Sequence, residues 1–229
     1  MNDEQEIFKN YFDQIKLIWE KLGVPNKIIP FCTPLKKNPK FLVIGINHAD
    51  FSTQRNIAED IAFRFSKNLP DINTFVSHKH KFANGLKKVI QKVNECYETF
   101  DDSPNEDWVG TNRIAVQTGK RDILSHYEQL ENLNEFDECK EEMDELLISL
   151  ISFMNPKNIL CAGKKSCAGI FDYDDKAEVK DMKHKKFLIN KEKNQTINII
   201  PVQHFSRGTF YAPAAGRIMD AIDEGYCEI

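Results

Sequence analysis

The sequence contains no CxxC pair, although six cysteines are spread over its 229 residues, at positions 32, 96, 139, 161, 167 and 227. That spacing argues against a zinc site and against a four-cysteine iron–sulfur cluster, and makes reduced, partly buried thiols the expectation. No uninterrupted apolar run is long enough to span a membrane. The opening MNDEQEIFKNYF has neither a basic n-region nor an apolar h-region. No signal peptide is therefore expected, and the expected location is cytoplasmic, or nuclear in a eukaryote. Basic residues are not in excess: 31 Lys and Arg stand against 35 Asp and Glu, a net charge of −4. No global positive field advertises nucleic acid, yet phosphate binding needs only one basic face. A hydrophobic content of 41% with 29% charged residues is ordinary for one globular domain.

Several catalytic signatures are missing too. AGKKS (162–166) resembles part of a phosphate loop, but the leading glycine and the Ser/Thr directly after Gly-Lys are replaced by Asn158 and Lys165. A strand-to-helix turn suffices for it, with Lys164 and Lys165 near a phosphate at that helix N-terminus as the remaining expectation. No G-x-S-x-G elbow supports nucleophilic catalysis by Ser52 or Ser206. His48, Asp50 and His204 are suitable metal ligands by type, but their spacing matches no metal signature, and backbone-bonded imidazoles are favoured.

What is present is an alternation of apolar runs and amphipathic segments. Ile7, Phe8, Tyr11, Phe12, Ile15, Ile18, Trp19 and Leu22 recur at three and four residues, the period of a helix, and Gly23 follows. FLVIGI (41–46) is a short continuous apolar run suited to a buried parallel strand, and NILCAG (158–163) reads as another strand ending in glycine. WVGTNRIAV is a third apolar segment, and KKFLINKEKNQTINIIPVQ reads as a hairpin, or a loop, before a last core strand. RNIAEDIAFRFSKNL, FANGLKKVIQKVNECYETF, the stretch from about Glu128 to Phe153, and APAAGRIMDAIDEGY read as helices. A further helix is expected to begin at SCAGIF. Strands alternating with helices imply a three-layer α/β/α sandwich around a mostly parallel, four-stranded sheet. One domain is expected over 1–229, with the helix and loop of 1–39 packed on its core.

In such folds the ligand crevice lies at the carboxyl ends of the parallel strands. Three of those ends carry polar groups: Asn47, His48 and Asp50; Thr111, Asn112 and Arg113; and Gln203, His204, Ser206 and Arg207. Local basic runs lie at Lys36, Lys37 and Lys40, at HKHKFANGLKK (78–88), and at Lys180, Lys183, Lys185 and Lys186 around His184. Each run alone reads as solvated surface balanced by acidic stretches.

Taken in order, the strand ends resemble the uracil-DNA glycosylase superfamily. GINHADF (45–51) is similar to its first motif, above all the G-[IM]-N-P-G form of the mismatch-specific/thymine and single-strand-selective branches. TNRIAV (111–116) is similar to the strand carrying a base-reading asparagine, and HFSRG (204–208) to the second motif, H-P-S-P with its intercalating loop. The resemblance runs from about residue 40 to the C-terminus, and it rests on the order of short motifs.

The resemblance implies a monofunctional glycosylase that hydrolyses the N-glycosidic bond of a flipped uracil or related base. Asn47 would orient the water, and His204 would stabilise the departing base anion. Asn112 would read the base edge, with Gly45, Ile46, His48 and Phe51 lining its pocket. Phe63, Phe65 and Phe82 compete with Phe51 as the stacking aromatic. Ser206, Arg207 and Gly208, with Lys164 and Lys165, would meet the DNA. His48 and Phe205 stand where the family has proline, which bears on base preference more than on fold. DNA is the implied partner of a monomer, with no cofactor, metal or membrane. Two alternatives stand beside it: an inactive or repurposed relative that binds nucleic acid or a protein partner, and a small-molecule hydrolase or nucleotide-binding enzyme using the same crevice. In the plainest case Asn47 and Asn112 only hydrogen-bond loop backbone.

Overall fold

The computed structural model describes residues 3–22, 33–45, 81–97, 107–113, 136–174, 176–205 and 211–228. In chain order they form α1 (Asp3–Lys21), β1 (Phe41–Gly45), α2 (Lys81–Tyr97), β2 (Trp108–Asn112) and α3 (Phe136–Met154). There follow β3 (Asn158–Ala162), β4 (Lys185–Asn190), β5 (Gln195–Val202) and α4 (Tyr211–Asp223). The expected helix over 55–69 lies outside the described residues, as do 128–135 of the expected long helical stretch.

The strands form one sheet in the order β2-β1-β3-β5-β4. β2, β1, β3 and β5 are mutually parallel, and β4 runs antiparallel to β5. The sheet thus has one strand more than the four expected, because KKFLIN pairs with QTINIIPV as a true hairpin. β4 alternates between half-buried and exposed positions and sits at an edge. Its lysines suit that place, since charge on an edge strand discourages pairing with another chain.

Three layers follow from the strand period of two. Leu42, Ile44, Val109, Ile159, Cys161, Ile197 and Ile199 face one side and share a core with α1 and α3. Phe41, Val43, Trp108, Leu160, Ala162, Ile200 and Val202 face the other, with α2 and α4. The central strands are buried on both faces, so they read as continuous apolar runs rather than alternating ones. α1 packs on α3 through Phe8, Ile15, Ile18 and Trp19, which are at most 2% exposed. α3 stops where Asn155 turns left-handed (φ 51°) and donates its N–H to Ile151 O at 2.8 Å, with Pro156 next to prevent continuation.

The helix expected at SCAGIF does not form. A single 3-10 turn, Lys164–Ser166, follows β3 instead, and the chain then runs irregularly to a second 3-10 turn at Val179–Asp181. Arg113 Nη1 donates to Lys165 O at 2.9 Å and to Ala168 O. Those carbonyls would have served helical hydrogen bonds, so a tertiary contact overrides local propensity here.

The strand order also locates the switch point of the sheet. From β1 the chain crosses by the α2 face to β2; from β2 it crosses by the α3 face, past β1, to β3. β1 and β3 are thus neighbours whose outgoing connections diverge, the place where open α/β sheets receive ligands. At the opposite, amino edge, polar groups close on one another: Asn198 Nδ2 donates to Asn158 Oδ1 at 3.1 Å, and Asn158 Nδ2 to Glu228 O at 2.7 Å.

Candidate active site at the carboxyl edge of the sheet

Gly45 and Asn112 end β1 and β2 side by side, paired in register. The Asn112 carboxamide fills the space that a side chain at 45 would occupy: a Cβ there would lie 2.9 Å from Asn112 Oδ1. By alternation Asn112 faces the α2 and α4 side, and it is 3% exposed. The glycine of the first motif is therefore what admits the asparagine of the neighbouring strand.

β3 ends in Gly163, whose φ of +98° favours glycine and whose N–H donates to Val202 O at 2.8 Å. The same glycine leaves room for His204. A Cβ at 163 would sit 3.6 Å from His204 Cβ and 3.7 Å from its Cδ2. On its other flank the imidazole meets Phe82 of α2 edge-to-face, with ring centroids 5.3 Å apart at 69°. Asn112 and His204 thus stand at the same edge, against the two glycines that flank the switch point.

Of the expected site residues, the described chain contains Gly45, Asn112, Lys164, Lys165 and His204. Ile46, Asn47, His48, Phe51, Ser206, Arg207 and Gly208 lie outside the described residues, as do Asp50, Ser52, Phe63 and Phe65. Lys164 and Lys165 lose the helix N-terminus on which their phosphate role depended. Lys164 Nζ instead lies 3.9 Å from Glu178 Oε1.

Arg113 is no ligand-facing tip. Its guanidinium forks onto Asp144, with Nε to Oδ1 at 2.8 Å and Nη2 to Oδ2 at 2.5 Å, and its side chain is 7% exposed. Its N–H donates to Gly45 O at 3.0 Å. Together with the bonds to Lys165 O and Ala168 O, this ties the ends of β1 and β2 to the turn after β3. Bidentate Arg–carboxylate pairs are rigid as well as strong, so Arg113 holds the frame on which Asn112 stands.

Two of the described thiols are held away from nucleophilic use. Burial pushes Cys161 well up, with the Cys167 thiol beside it as the next cause, and pushes Cys227 up to about 12. A thiol held protonated is a poor nucleophile. Among the described residues no group of three or more His, Cys, Asp or Glu gathers as metal ligands. Gln203, just before His204 and one of the polar residues expected at that strand end, keeps Oε1 buried without a hydrogen-bond partner.

One further residue escaped the sequence reading. Gly85 sits inside α2, where glycine costs about 1 kcal/mol relative to alanine. A Cβ at 85 would fall 2.0 Å from Phe205 O, so the helix and the chain after β5 touch backbone to backbone. A glycine inside a strongly periodic helix was the available signal of such an approach. Phe205 is 1% exposed and meets Phe82 edge-to-face at 5.1 Å.

No protein-family model matches the chain, and no curated protein is significantly similar to it. Among the described residues no helix is long and apolar enough to cross a membrane.

Proposed function

We propose that the protein is a DNA glycosylase that hydrolyses the N-glycosidic bond of a deaminated or damaged base, such as uracil, flipped out of the stack. The observation that carries this reading is the pairing of Asn112 with Gly45 and of His204 with Gly163 at one edge of the sheet. An amide and an imidazole held beside the switch point are the groups such a reaction requires on the base. The Asn112 amide accepts from a pyrimidine N3–H and donates to the adjacent carbonyl. The imidazole of His204 donates toward the carbonyl oxygen where negative charge collects as the C–N bond breaks. Asn47, two residues beyond Gly45 in the sequence, orients the attacking water on the sugar side.

Phe82 beside His204 offers the aromatic surface for the base, in place of Phe51. Ile46 and His48 complete the pocket in this reading, and Ser206, Arg207 and Gly208 follow His204 toward the DNA backbone. Lys164 and Lys165, on the turn directly after β3, meet the DNA backbone in this reading as side-chain cations rather than through a helix N-terminus.

The test uses single-stranded and duplex oligonucleotides carrying uracil, hypoxanthine or xanthine, followed by alkaline cleavage at abasic sites. The expected result is abasic product from at least one of them, with Asn47→Ala and His204→Ala lowering turnover by about two orders of magnitude or more. Folded protein that yields no abasic product on any substrate refutes the reading. Salt-sensitive DNA binding without cleavage favours a nucleic-acid-binding module instead.

A further inference from the structure

We infer that Phe205 and Gly85 act as positioning residues that set the direction of the His204 imidazole, an inference that rests on the proposed role of His204. β5 ends at Val202, so His204 lies beyond the last ladder pair and has no sheet register to hold it. The residue after it supplies that restraint. Phe205 is sunk in the core shared with Leu86, Val89, Val202 and Ala214, and its carbonyl lies directly against the Cα of Gly85. A side chain at 85 would meet Phe205 O at 2.0 Å, Phe205 C at 2.7 Å and Phe205 Cβ at 3.0 Å. Two of those three atoms are backbone, which cannot swing aside as a side-chain tip can. Any substitution at 85 therefore displaces the segment that carries His204.

Phe82, one turn before Gly85 on the same helix, touches both rings: His204 at 5.3 Å and Phe205 at 5.1 Å. The helix thus grips two consecutive residues, one by its backbone and one by its imidazole. Gly163 closes the opposite flank of His204. An imidazole confined by an aromatic edge, a glycine and an anchored neighbour keeps its orientation before any substrate arrives, which is the preorganisation that charge stabilisation needs.

The experiment compares Gly85→Ala with Gly216→Ala, a second helical glycine whose Cβ would meet nothing within 4 Å. In histidine-labelled protein the His204 ring signals are identified by their loss in His204→Gln. Gly85→Ala is expected to move the His204 ring signals and lower kcat on the uracil oligonucleotide by roughly 10–100-fold, with little change in KM. Gly216→Ala is expected to change neither. Phe205→Leu, which leaves the Phe82 ring beside His204 and alters only the anchor after it, is expected to shift the same ring signals and lower kcat, and it decides the matter if Gly85→Ala does not fold. A folded Gly85→Ala with wild-type ring signals and kcat, or a Phe205→Leu with both unchanged when it alone folds, overturns the inference. If the wild-type protein releases no base, the proposed function falls, while the ring signals still report whether Gly85 and Phe205 position His204.

Discussion

Acid should weaken this fold through one imidazole. His184, just before β4, is 6% exposed, and neither of its ring nitrogens has a hydrogen-bond partner. Burial first, and then the Arg217 guanidinium on α4, push its pKa from 6.5 down to about 4, with Asp220 on the same helix opposing. The Tyr226 ring lies 6.4 Å away, centroid to centroid. A base whose folded pKa is lowered stays neutral in the folded chain while the unfolded chain takes up a proton. Its full contribution is therefore present above about pH 6.5 and is lost progressively as the pH falls toward 4. At about pH 4.5 that linkage amounts to roughly 2–3 kcal/mol, a large fraction of the stability of an ordinary domain. His184→Leu removes the titration and also the two orphaned nitrogens, so the variant should match or exceed the wild type at neutral pH. Urea unfolding of both proteins at about pH 7.5 and 4.5 isolates the effect, because the carboxylates common to both cancel in the difference. The gap between them should widen by roughly 2–3 kcal/mol on acidification. Parallel pH profiles would refute the assignment.

Removing one partner from the Arg113–Asp144 pair strands a charge: Arg113→Met should cost roughly 3 kcal/mol in urea unfolding, and Asp144→Leu in the same chain should recover part of it. A loss below about 1 kcal/mol would show that the clamp contributes little. Gly45→Ala places a methyl 2.9 Å from Asn112 Oδ1, so the Asn112 side-chain amide signals should shift and the melting temperature should fall by several degrees. Unchanged amide signals would contradict the packing. Among the described cysteines only Cys96 is exposed, so a thiol reagent should modify it quickly and reach Cys139, Cys161, Cys167 and Cys227 only on unfolding. Rapid labelling of any of those four in the native protein would contradict their burial.

The parallel core was legible because burial on both faces leaves a mark that one sequence can carry. FLVIG is wholly apolar and NILCA has only its first residue, Asn158, polar, and both became central strands. The extra strand was harder to read, because KKFLIN mixes lysines with apolar residues and its pairing depends on β5 rather than on itself. The missing helix after β3 was illegible for a related reason. SCAGIF has reasonable local propensity, but Arg113, some 50 residues earlier, takes the carbonyls that a helix would use. Arg113 itself read as a polar group at a strand end, which is true of its position and misleading about its partner. Its partner, Asp144, lies on a helix whose neighbours no local pattern specifies.

The same limit explains what was legible in the candidate site. Motif order located Gly45, Asn112 and His204 at strand ends, since each strand announces its own termination. The contacts that give them geometry come from other segments: Gly45 makes room for Asn112, Gly163 makes room for His204, and Gly85 receives Phe205. These are three absences of a side chain, and an absence in one sequence does not say which neighbour needs it. Only the strand order shows that two of them flank the junction of β1 and β3, where the chain's crossovers part. Glycines at such a junction make room for side chains from the neighbouring strand ends. The polar groups at the amino edge, by contrast, bond one another through Asn158, Asn198 and Glu228. The close fit of Gly45 against Asn112 makes Gly45→Ala the substitution that most directly tests whether this glycine sets the place of the Asn112 amide.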